Sequence, residues 1–195
     1  MWRDLLVYVF PRINGPHVLG TVEDFYAVRT SAVPTTTAQD AQTSTSFCHH
    51  VFLSHDWTVD THAAVQRINQ ALLALGVVTW FSDDVKEHPI LLPALTRGLD
   101  SSAAFVSFIT PSYEAKVNSS SITHFCGVEF RAALNCRERS NMLAVILDKT
   151  MIDRPWQGVL GPELTQTATL DAVELDAAST ASRIHEHLSR LMVSR

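Results

Sequence analysis

The chain repeats one pattern from Val51 to Asp148 and beyond: a short apolar run, a polar turn, and then a segment with helical periodicity. Apolar runs of this length are too short for helices and are typical of buried strands. Because strands that alternate with helices at this spacing form parallel sheets with right-handed crossovers, the sequence predicts an α/β fold. The predicted strands are His50–Ser54, Val77–Phe81, Ala103–Thr110, Met142–Leu147 and a weaker run at Ala168–Ala172.

The segments between these strands are predicted helices. After the first strand, apolar residues recur at helical spacing up to Gly76, which stands where a helix end is expected. Pro111 is suited to begin the helix after the third strand, and the polar stretch at 118–123 separates that helix from one at Phe125–Arg139. The remaining helices are expected at Leu91–Leu99 and Ala178–Met192.

Together these elements predict a flavodoxin-like, doubly wound domain, with a five-stranded parallel sheet in the order 2-1-3-4-5 flanked by helices. Such sheets bind ligands beyond the carboxyl ends of their strands, where the strand order reverses. Glu129 follows the third strand and lies near the start of the predicted helix Phe125–Arg139. It is therefore the first candidate for a functional residue.

The N-terminal part of the chain has a different composition. Residues 1–29 are apolar enough to pack, whereas residues 30–46 are rich in Thr, Ser, Ala and Gln and low in hydrophobicity, which is typical of a linker. We therefore expect an N-terminal extension at 1–29, a linker at 30–46 and the α/β domain at 47–195.

Composition argues against several classes of protein. The formal net charge is -5 with 15 Lys plus Arg, so the chain lacks the basic surface expected of a nucleic-acid binder. No apolar run approaches the roughly 20 residues that a membrane-spanning helix needs. The three cysteines, Cys48, Cys126 and Cys136, form no disulfide framework, which favours a reducing compartment and predicts a cytoplasmic protein.

Four motifs of the predicted domain resemble those of a known family, the TIR domains. His50–Ser54 is similar to the family's first box, and Leu91–Ser102 is similar to its amphipathic second helix with the paired serine that follows. Phe105–Tyr113 resembles its third strand and the turn after it. Phe125–Phe130 resembles the Trp-Cys-x-x-Glu box that begins the next helix. The motifs keep the family's order across residues 48–193.

The chain also departs from the family's pattern. The aspartate that usually begins the first box is His50, and the tryptophan four residues before the glutamate is Phe125. The loop after the second strand, Ser82–Pro89, has no glycine where the family often has one. The resemblance implies that this loop builds contacts for self-association or for binding other TIR domains, so the geometry of assembly is the property most affected.

The resemblance implies a particular chemistry for Glu129. TIR domains that keep this glutamate include enzymes that cleave the bond between nicotinamide and ribose in NAD+. Glycosidases ordinarily need two carboxyl groups, one of them to protonate the leaving group. The nicotinamide of NAD+ is already a cationic pyridinium and leaves as a neutral base, so one carboxylate can suffice. The implied function is an NAD+ nucleosidase, either hydrolase or cyclase, with NAD+ as substrate and no other cofactor.

Further substrate contacts are predicted around the same edge of the sheet. Ser54 and His55 end the first strand, where the ribose or phosphates of a nucleotide would lie. Asp83 matches the family's aspartate after the second strand, and Phe125 lies one helical turn before Glu129, where it could face the nicotinamide ring. Each has a structural alternative: a capped loop for Ser54 and His55, a turn for Asp83, and core packing for Phe125.

Other kinds of site fit the residues less well. Cys48-His49-His50 with His55 has the composition of a metal site, but alternate residues of a strand point to opposite faces, so no metal is predicted. Cys126 beside His124 could be a reactive thiol at a helix N-terminus, although neighbouring helix positions do not face each other.

A phospho-acceptor receiver domain is also excluded, because its acceptor aspartate ends the third strand, where this chain has Thr110-Pro111. Trp57 and Trp80 are more often packing residues than ligand contacts, and both remain candidates for an adenine contact.

Two functions from different classes therefore stay open. The first is the NAD+ nucleosidase, favoured by the retained Glu129. The second is a non-catalytic module that signals by TIR–TIR interaction, favoured by Phe125 in place of tryptophan and by the altered loop. A third, smaller possibility is a nucleoside-transferring enzyme of similar fold that also uses a glutamate on ribose.

Overall fold

The computed structural model of the chain describes residues 49–81, 91–121, 123–136, 138–164 and 166–193. The predicted extension at 1–29 and the predicted linker at 30–46 lie outside the described residues, as does the loop Ser82–Pro89 with Asp83. These boundaries and this loop therefore stay predictions.

Five parallel strands form one sheet. They are β1 (His49–Ser54), β2 (Thr79–Trp80), β3 (Ser102–Ile109), β4 (Met142–Ile146) and β5 (Ala168–Asp171). Their order across the sheet is β2-β1-β3-β4-β5, which confirms the predicted flavodoxin-like, doubly wound fold. The direction of winding reverses between β1 and β3, since β2 lies on one side of β1 and the later strands lie on the other.

The helices follow the predicted alternation. They are α1 (Val59–Ala74), α2 (Leu91–Asp100), α3 (Pro111–Asn118), α4 (Phe125–Cys136), α5 (Leu160–Leu164) and α6 (Ala177–Val193). Gly76 follows α1 with φ 79°, a left-handed conformation that glycine adopts without strain, as predicted for this helix end. Thr110 caps α3 by accepting a hydrogen bond from the Tyr113 amide at 3.0 Å. None of the helices in the described ranges is both long and apolar enough to cross a membrane.

Two apolar cores lie on opposite faces of the sheet, because successive side chains of a strand alternate between its faces. Leu53 of β1 packs in the first core with residues of α1 and α6, whereas Phe52 packs in the second core with residues of α2 to α5. Every full burial of a large side chain such as Phe52 contributes about 2 kcal/mol. The same alternation assigns Ser54 to the second face and His55 to the first.

Some elements differ from their predicted bounds. β2 spans two residues instead of Val77–Phe81, because the apolar pattern reports side-chain burial rather than backbone pairing. Val77 and Phe81 are indeed buried, but they lie outside the hydrogen-bonded ladder with β1. α4 ends at Cys136 rather than Arg139, where a 3-10 turn, Arg139–Asn141, leads into β4. The short α5 was not predicted.

Trp80 fixes the outer strand β2 against its neighbours. Its ring stacks on Phe52, with ring centroids 4.2 Å apart and planes inclined by 13°. A Cβ atom on Gly98 of α2 would overlap the Trp80 ring, so glycine at this position makes room for the indole. Trp80 therefore acts as a packing residue between β1 and α2.

Candidate active site

Glu129 lies in α4, and its carboxyl group is buried beside the carboxyl end of β1. Only 3 % of the residue's surface is exposed. Cys126, Phe130 and Ala133 of the same helix pack into the second core. Because these residues turn one face of α4 towards the sheet, the burial of Glu129 follows from the packing of an apolar helix face.

Gly127 allows α4 to approach α3 closely. A Cβ atom at this position would lie 2.8 Å from the backbone oxygen of Lys116, which is closer than side chains tolerate. Arg131 of α4 also stabilises this contact between the two helices, since its Nη1 donates to the backbone oxygen of Val117 at 2.7 Å. The close approach brings Tyr113 of α3 to the region around Glu129.

Ser54 connects Glu129 to Tyr113. Its hydroxyl group donates to Oε2 of Glu129 at 2.6 Å, and its Oγ lies 3.1 Å from the hydroxyl oxygen of Tyr113. All three residues are buried. A hydroxyl group has one hydrogen, so if Ser54 donates to Glu129, the Tyr113 hydroxyl must donate to Ser54. Two hydroxyl groups thus form a directed chain that ends on the carboxylate.

The pKa of Glu129 is raised from its usual 4.5 to about 7. Burial is the cause of the rise, and the hydrogen bond from Ser54 opposes it. Within the described residues, no salt bridge reaches this carboxyl group. Near neutral pH the protonated and ionised forms are therefore both populated, which is characteristic of carboxyl groups at functional sites.

Two neighbouring groups stay neutral because they are buried. Burial raises the pKa of Tyr113 well above its usual 10, so its hydroxyl group keeps its proton. Burial also raises the pKa of Cys126 to about 12, and the charge of Glu129 adds to this rise. Because Cys126 is buried and almost no thiolate forms at neutral pH, its surroundings argue against a reactive thiol.

Asp56 is a second buried carboxyl group at this edge, and the sequence analysis missed it. The Thr58 amide and hydroxyl donate to its Oδ1 at 2.9 and 2.6 Å, and the Thr110 hydroxyl donates to its Oδ2. Nζ of Lys116 lies 3.9 Å from Oδ1. Burial alone would raise the pKa of Asp56, but these hydrogen bonds and Lys116 outweigh it and lower the pKa. A usable signal was the polar run Ser54–Trp57 directly after the first strand.

His55 belongs to a different cluster from Glu129. Its Nε2 lies 2.8 Å from Nδ1 of His62, and its ring stacks near Phe81, a residue of the first core. The structure therefore brings Ser54 to Glu129 and places the His55 side chain on the other face of the sheet. Substrate contact by His55 stays a prediction, and it would involve this second cluster.

The remaining candidates lie nearer the surface or outside the described residues. Phe125 is the first residue of α4, one turn before Glu129, and is half-buried. Trp57 is also half-buried, and its ring stacks on His62 with centroids 4.8 Å apart. Asp83 lies outside the described residues. Over the part of the chain that the structure describes, no three His, Cys, Asp or Glu residues are grouped so as to hold a metal ion.

Comparison with known proteins identifies the domain. A scan against models of protein families matches residues 51–189 to the TIR domain. None of the curated proteins searched matches the chain. The matched residues run from β1 into α6, and they include Ser54, Asp56 and Glu129.

Proposed function

The chain belongs to the TIR domain family, and from this premise we propose that it is an NAD+ nucleosidase in a signalling context, with Glu129 as the catalytic carboxylate. One observation carries the proposal: a buried glutamate at the reversal point of the sheet, held by a single serine hydroxyl and by no salt bridge among the described residues. A carboxylate with few hydrogen-bond partners of its own is free to attract the positive charge of a cationic substrate.

One carboxylate is enough because of the nature of the leaving group. Nicotinamide leaves NAD+ as a neutral base, so the enzyme has no proton to supply to it. The transition state carries positive charge at the anomeric carbon of the ribose, and a negative carboxylate nearby stabilises that charge more than it stabilises the ground state. Burial strengthens this interaction, because the surroundings of Glu129 screen charge less than water does.

The pKa of Glu129 fits this role at neutral pH. Only the ionised form stabilises the transition state, and a pKa of about 7 leaves a large part of the protein in that form. Binding of the cationic nicotinamide ring would favour the ionised form further, since an opposite charge nearby lowers a carboxyl pKa.

We propose the other substrate contacts at Ser54, His55, Asp83 and Phe125. Phe125 would offer its ring to the nicotinamide, because it is half-buried and one turn from Glu129. The fully buried Ser54 would act on ribose only together with Glu129, whose carboxylate already engages its hydroxyl group. Asp83 rests on the family resemblance alone.

The second candidate function is a non-catalytic module that binds other TIR domains. The observation that favours it is Phe125 at the position where the family's glutamate box usually has tryptophan. Self-association is part of both candidates: in the enzyme, neighbouring subunits would complete each other's sites through Ser82–Pro89. Specific activity that rises with protein concentration would support that arrangement.

The test is to incubate the purified full chain with NAD+ and to follow the release of nicotinamide. We expect release by the native chain and a loss of at least about a hundredfold in Glu129→Gln, which keeps the size of the side chain but removes its charge. Glu114→Gln is a matched control, because Glu114 is also a buried glutamate but is paired with Arg154.

The outcomes separate the two candidates. Release that persists unchanged in a folded Glu129→Gln variant would remove Glu129 from the mechanism. No release by the native chain at any protein concentration would leave the interaction module as the function. An equal loss in Glu114→Gln and Glu129→Gln would show that activity follows the integrity of the fold.

A further inference from the structure

The chain of hydrogen bonds behind Glu129 extends one residue beyond the expected site. Tyr113 is fully buried, and its hydroxyl oxygen lies 3.1 Å from Oγ of Ser54, which in turn donates to Glu129. Within the described residues, no other hydrogen bond of the Tyr113 hydroxyl is found. Because no part of Tyr113 is exposed to a substrate, we expect its hydroxyl group to act on the reaction through Ser54.

The position of Tyr113 is set by contacts that do not involve its hydroxyl group. Its amide donates to the Thr110 side chain at 3.0 Å, and its ring meets Phe130 edge to face, with centroids 6.5 Å apart. The close junction of α3 and α4 at Gly127 holds both helices in place. The ring would keep this position without the hydroxyl group, which makes the hydroxyl group separable from the packing.

We propose that Tyr113 is a positioning residue that acts through the Ser54 hydroxyl to orient and favour the ionised carboxylate of Glu129. By donating to Ser54, it orients the Ser54 hydrogen towards Oε2 and polarises that hydroxyl group. Hydrogen bonds in series strengthen one another, so the bond from Ser54 to Glu129 is stronger while Tyr113 donates. The catalytic meaning of this role rests on the proposed NAD+ cleavage.

Other titratable groups lie near the carboxyl group of Glu129, and a change in their charge would shift its pKa. Cys126 lies on the same helix and is neutral, since its pKa is about 12. Asp56 after β1 is ionised and has Lys116 beside it, which offsets its charge. Tyr113 itself is neutral because its pKa is raised. None of Cys126, Asp56 and Tyr113 changes its charge near neutral pH, so none of these three groups disturbs the titration of Glu129 there.

The test is a double-mutant cycle on the full chain with Tyr113→Phe, Ser54→Ala and both together. The titration of the Glu129 carboxyl carbon is followed by NMR after labelling with carbon-13 glutamate, and its signal is assigned by its absence in Glu129→Gln. The pH dependence of kcat/KM for nicotinamide release is measured on the same variants. Ser107→Ala is the matched control: Ser107 is the register partner of Ser54 on β3, but its hydroxyl donates to the Leu143 carbonyl.

We expect Tyr113→Phe to raise the titration midpoint of Glu129 by about half a pH unit, and Ser54→Ala to raise it by about one unit or more. The midpoint of the kcat/KM profile should move upwards with it. In the Ser54→Ala background, Tyr113→Phe should have no further effect, because the connection is already broken. Ser107→Ala should leave the midpoint unchanged.

Three results would overturn the proposal. They are an unchanged midpoint in Tyr113→Phe, a shift of the same size in the Ser54→Ala background, and an equal shift in Ser107→Ala. If Ser54→Ala does not fold, the comparison of Tyr113→Phe with Ser107→Ala still decides. A midpoint that shifts as expected in a chain that releases no nicotinamide would support the connection and reject the proposed function.

Discussion

Asp56 and Glu129 are two buried carboxyl groups at the same edge of one sheet, yet their surroundings move their pKa values in opposite directions. Asp56 accepts three hydrogen bonds and has Lys116 at 3.9 Å. Glu129, among the described residues, accepts one hydrogen bond, from Ser54. Burial acts to raise both pKa values; at Asp56 the hydrogen bonds and Lys116 outweigh it, whereas the one hydrogen bond at Glu129 does not.

The difference suggests two uses of a buried acid. Asp56 is an ion that the fold itself satisfies, and it joins the end of β1 to Thr110 after β3. Glu129 is left with most of the cost of burying its charge. Pairs of titratable groups whose surroundings drive their pKa values apart are typical of active sites, where the two groups take different roles.

Glu114 of α3 is a third buried carboxyl group. It is buried, the guanidinium group of Arg154 donates to both of its carboxylate oxygens, and the Gln157 amide donates to Oε1 at 2.6 Å. Asn118, one turn later, accepts from the Val159 amide at 2.9 Å. These contacts tie the segment after β4 to α3. In the number of its hydrogen-bond donors, Glu114 thus resembles Asp56 rather than Glu129.

The largest expected effect comes from removing the satisfied acid. Asp56→Ala deletes the acceptor of three hydrogen bonds and leaves the hydrogen of the buried Thr110 hydroxyl group without its acceptor. We expect the free energy of unfolding at pH 7 to fall by about 4 kcal/mol, measured by urea denaturation. A loss below about 1 kcal/mol would mean that the hydrogen bonds to Asp56 contribute little to the stability of the fold.

Replacing Glu129, which accepts one hydrogen bond among the described residues, should raise the free energy of unfolding instead of lowering it. The pKa of Glu129 is about 7 in the folded chain, against 4.5 when exposed, so the folded state binds more protons between these values. Its contribution to stability is fully present below about pH 4.5 and is lost as the pH rises through 7. Glutamine stays neutral throughout.

We therefore expect Glu129→Gln to be more stable than the native chain by about 3 kcal/mol at pH 8 and nearly equal to it at pH 4.5. Urea denaturation from pH 4.5 to 8 measures the difference. Glu114→Gln, treated in the same way, should be less stable than the native chain at pH 8. A Glu129→Gln variant that is destabilised at pH 8 would place Glu129 in the same class as Asp56.

The same titration should appear in the reaction. If the ionised form of Glu129 is required, kcat/KM for nicotinamide release should rise by about tenfold from pH 6 to pH 8 and then level off. Initial rates at low NAD+ concentration measure this ratio. A profile that is flat across this range would show that the reactive form does not depend on the titration of Glu129.

The smallest effect is expected at Lys116, the cation next to Asp56. Its side chain is one-quarter exposed and lies 3.9 Å from Asp56, so solvent screens the pair. We expect Lys116→Met to cost less than about 1 kcal/mol in urea denaturation, and the cost to shrink in high salt. A larger cost would mean that the lysine, rather than the hydrogen bonds from Thr58 and Thr110, keeps Asp56 ionised.

The fold could be predicted from the sequence because the patterns that mark its strands and helices are local. Apolar runs and helical periodicity mark each element, and parallel connections allow few arrangements. The prediction made β2 too long because apolar residues such as Val77 and Phe81 give the same sequence pattern whether they are only buried or also paired in a strand. α5 was missed because five residues give too few turns for a period to show.

The site could be predicted only in part. Ser54 and Glu129 were each expected at this edge, but their direct contact spans 75 positions and depends on how α4 packs. Asp56 was missed because its partners, Thr110 and Lys116, lie far along the chain. His55 was grouped with Ser54 because the two are consecutive, although consecutive residues of a strand face opposite sides of the sheet.

The way Trp80 is held also limits how copies of this domain can meet. The unpaired backbone of an outer strand is a template on which a strand of another chain can add, and proteins guard against this with short or covered edges. In the described residues, β2 keeps strand geometry over two positions, and the indole lodged between Phe52 and Gly98 binds it to α2. Over these residues, the β2 edge offers little backbone for intermolecular pairing. A second copy that docked on this edge would be held by side chains, whose charge and shape can select a partner, rather than by a ladder that would accept almost any extended chain.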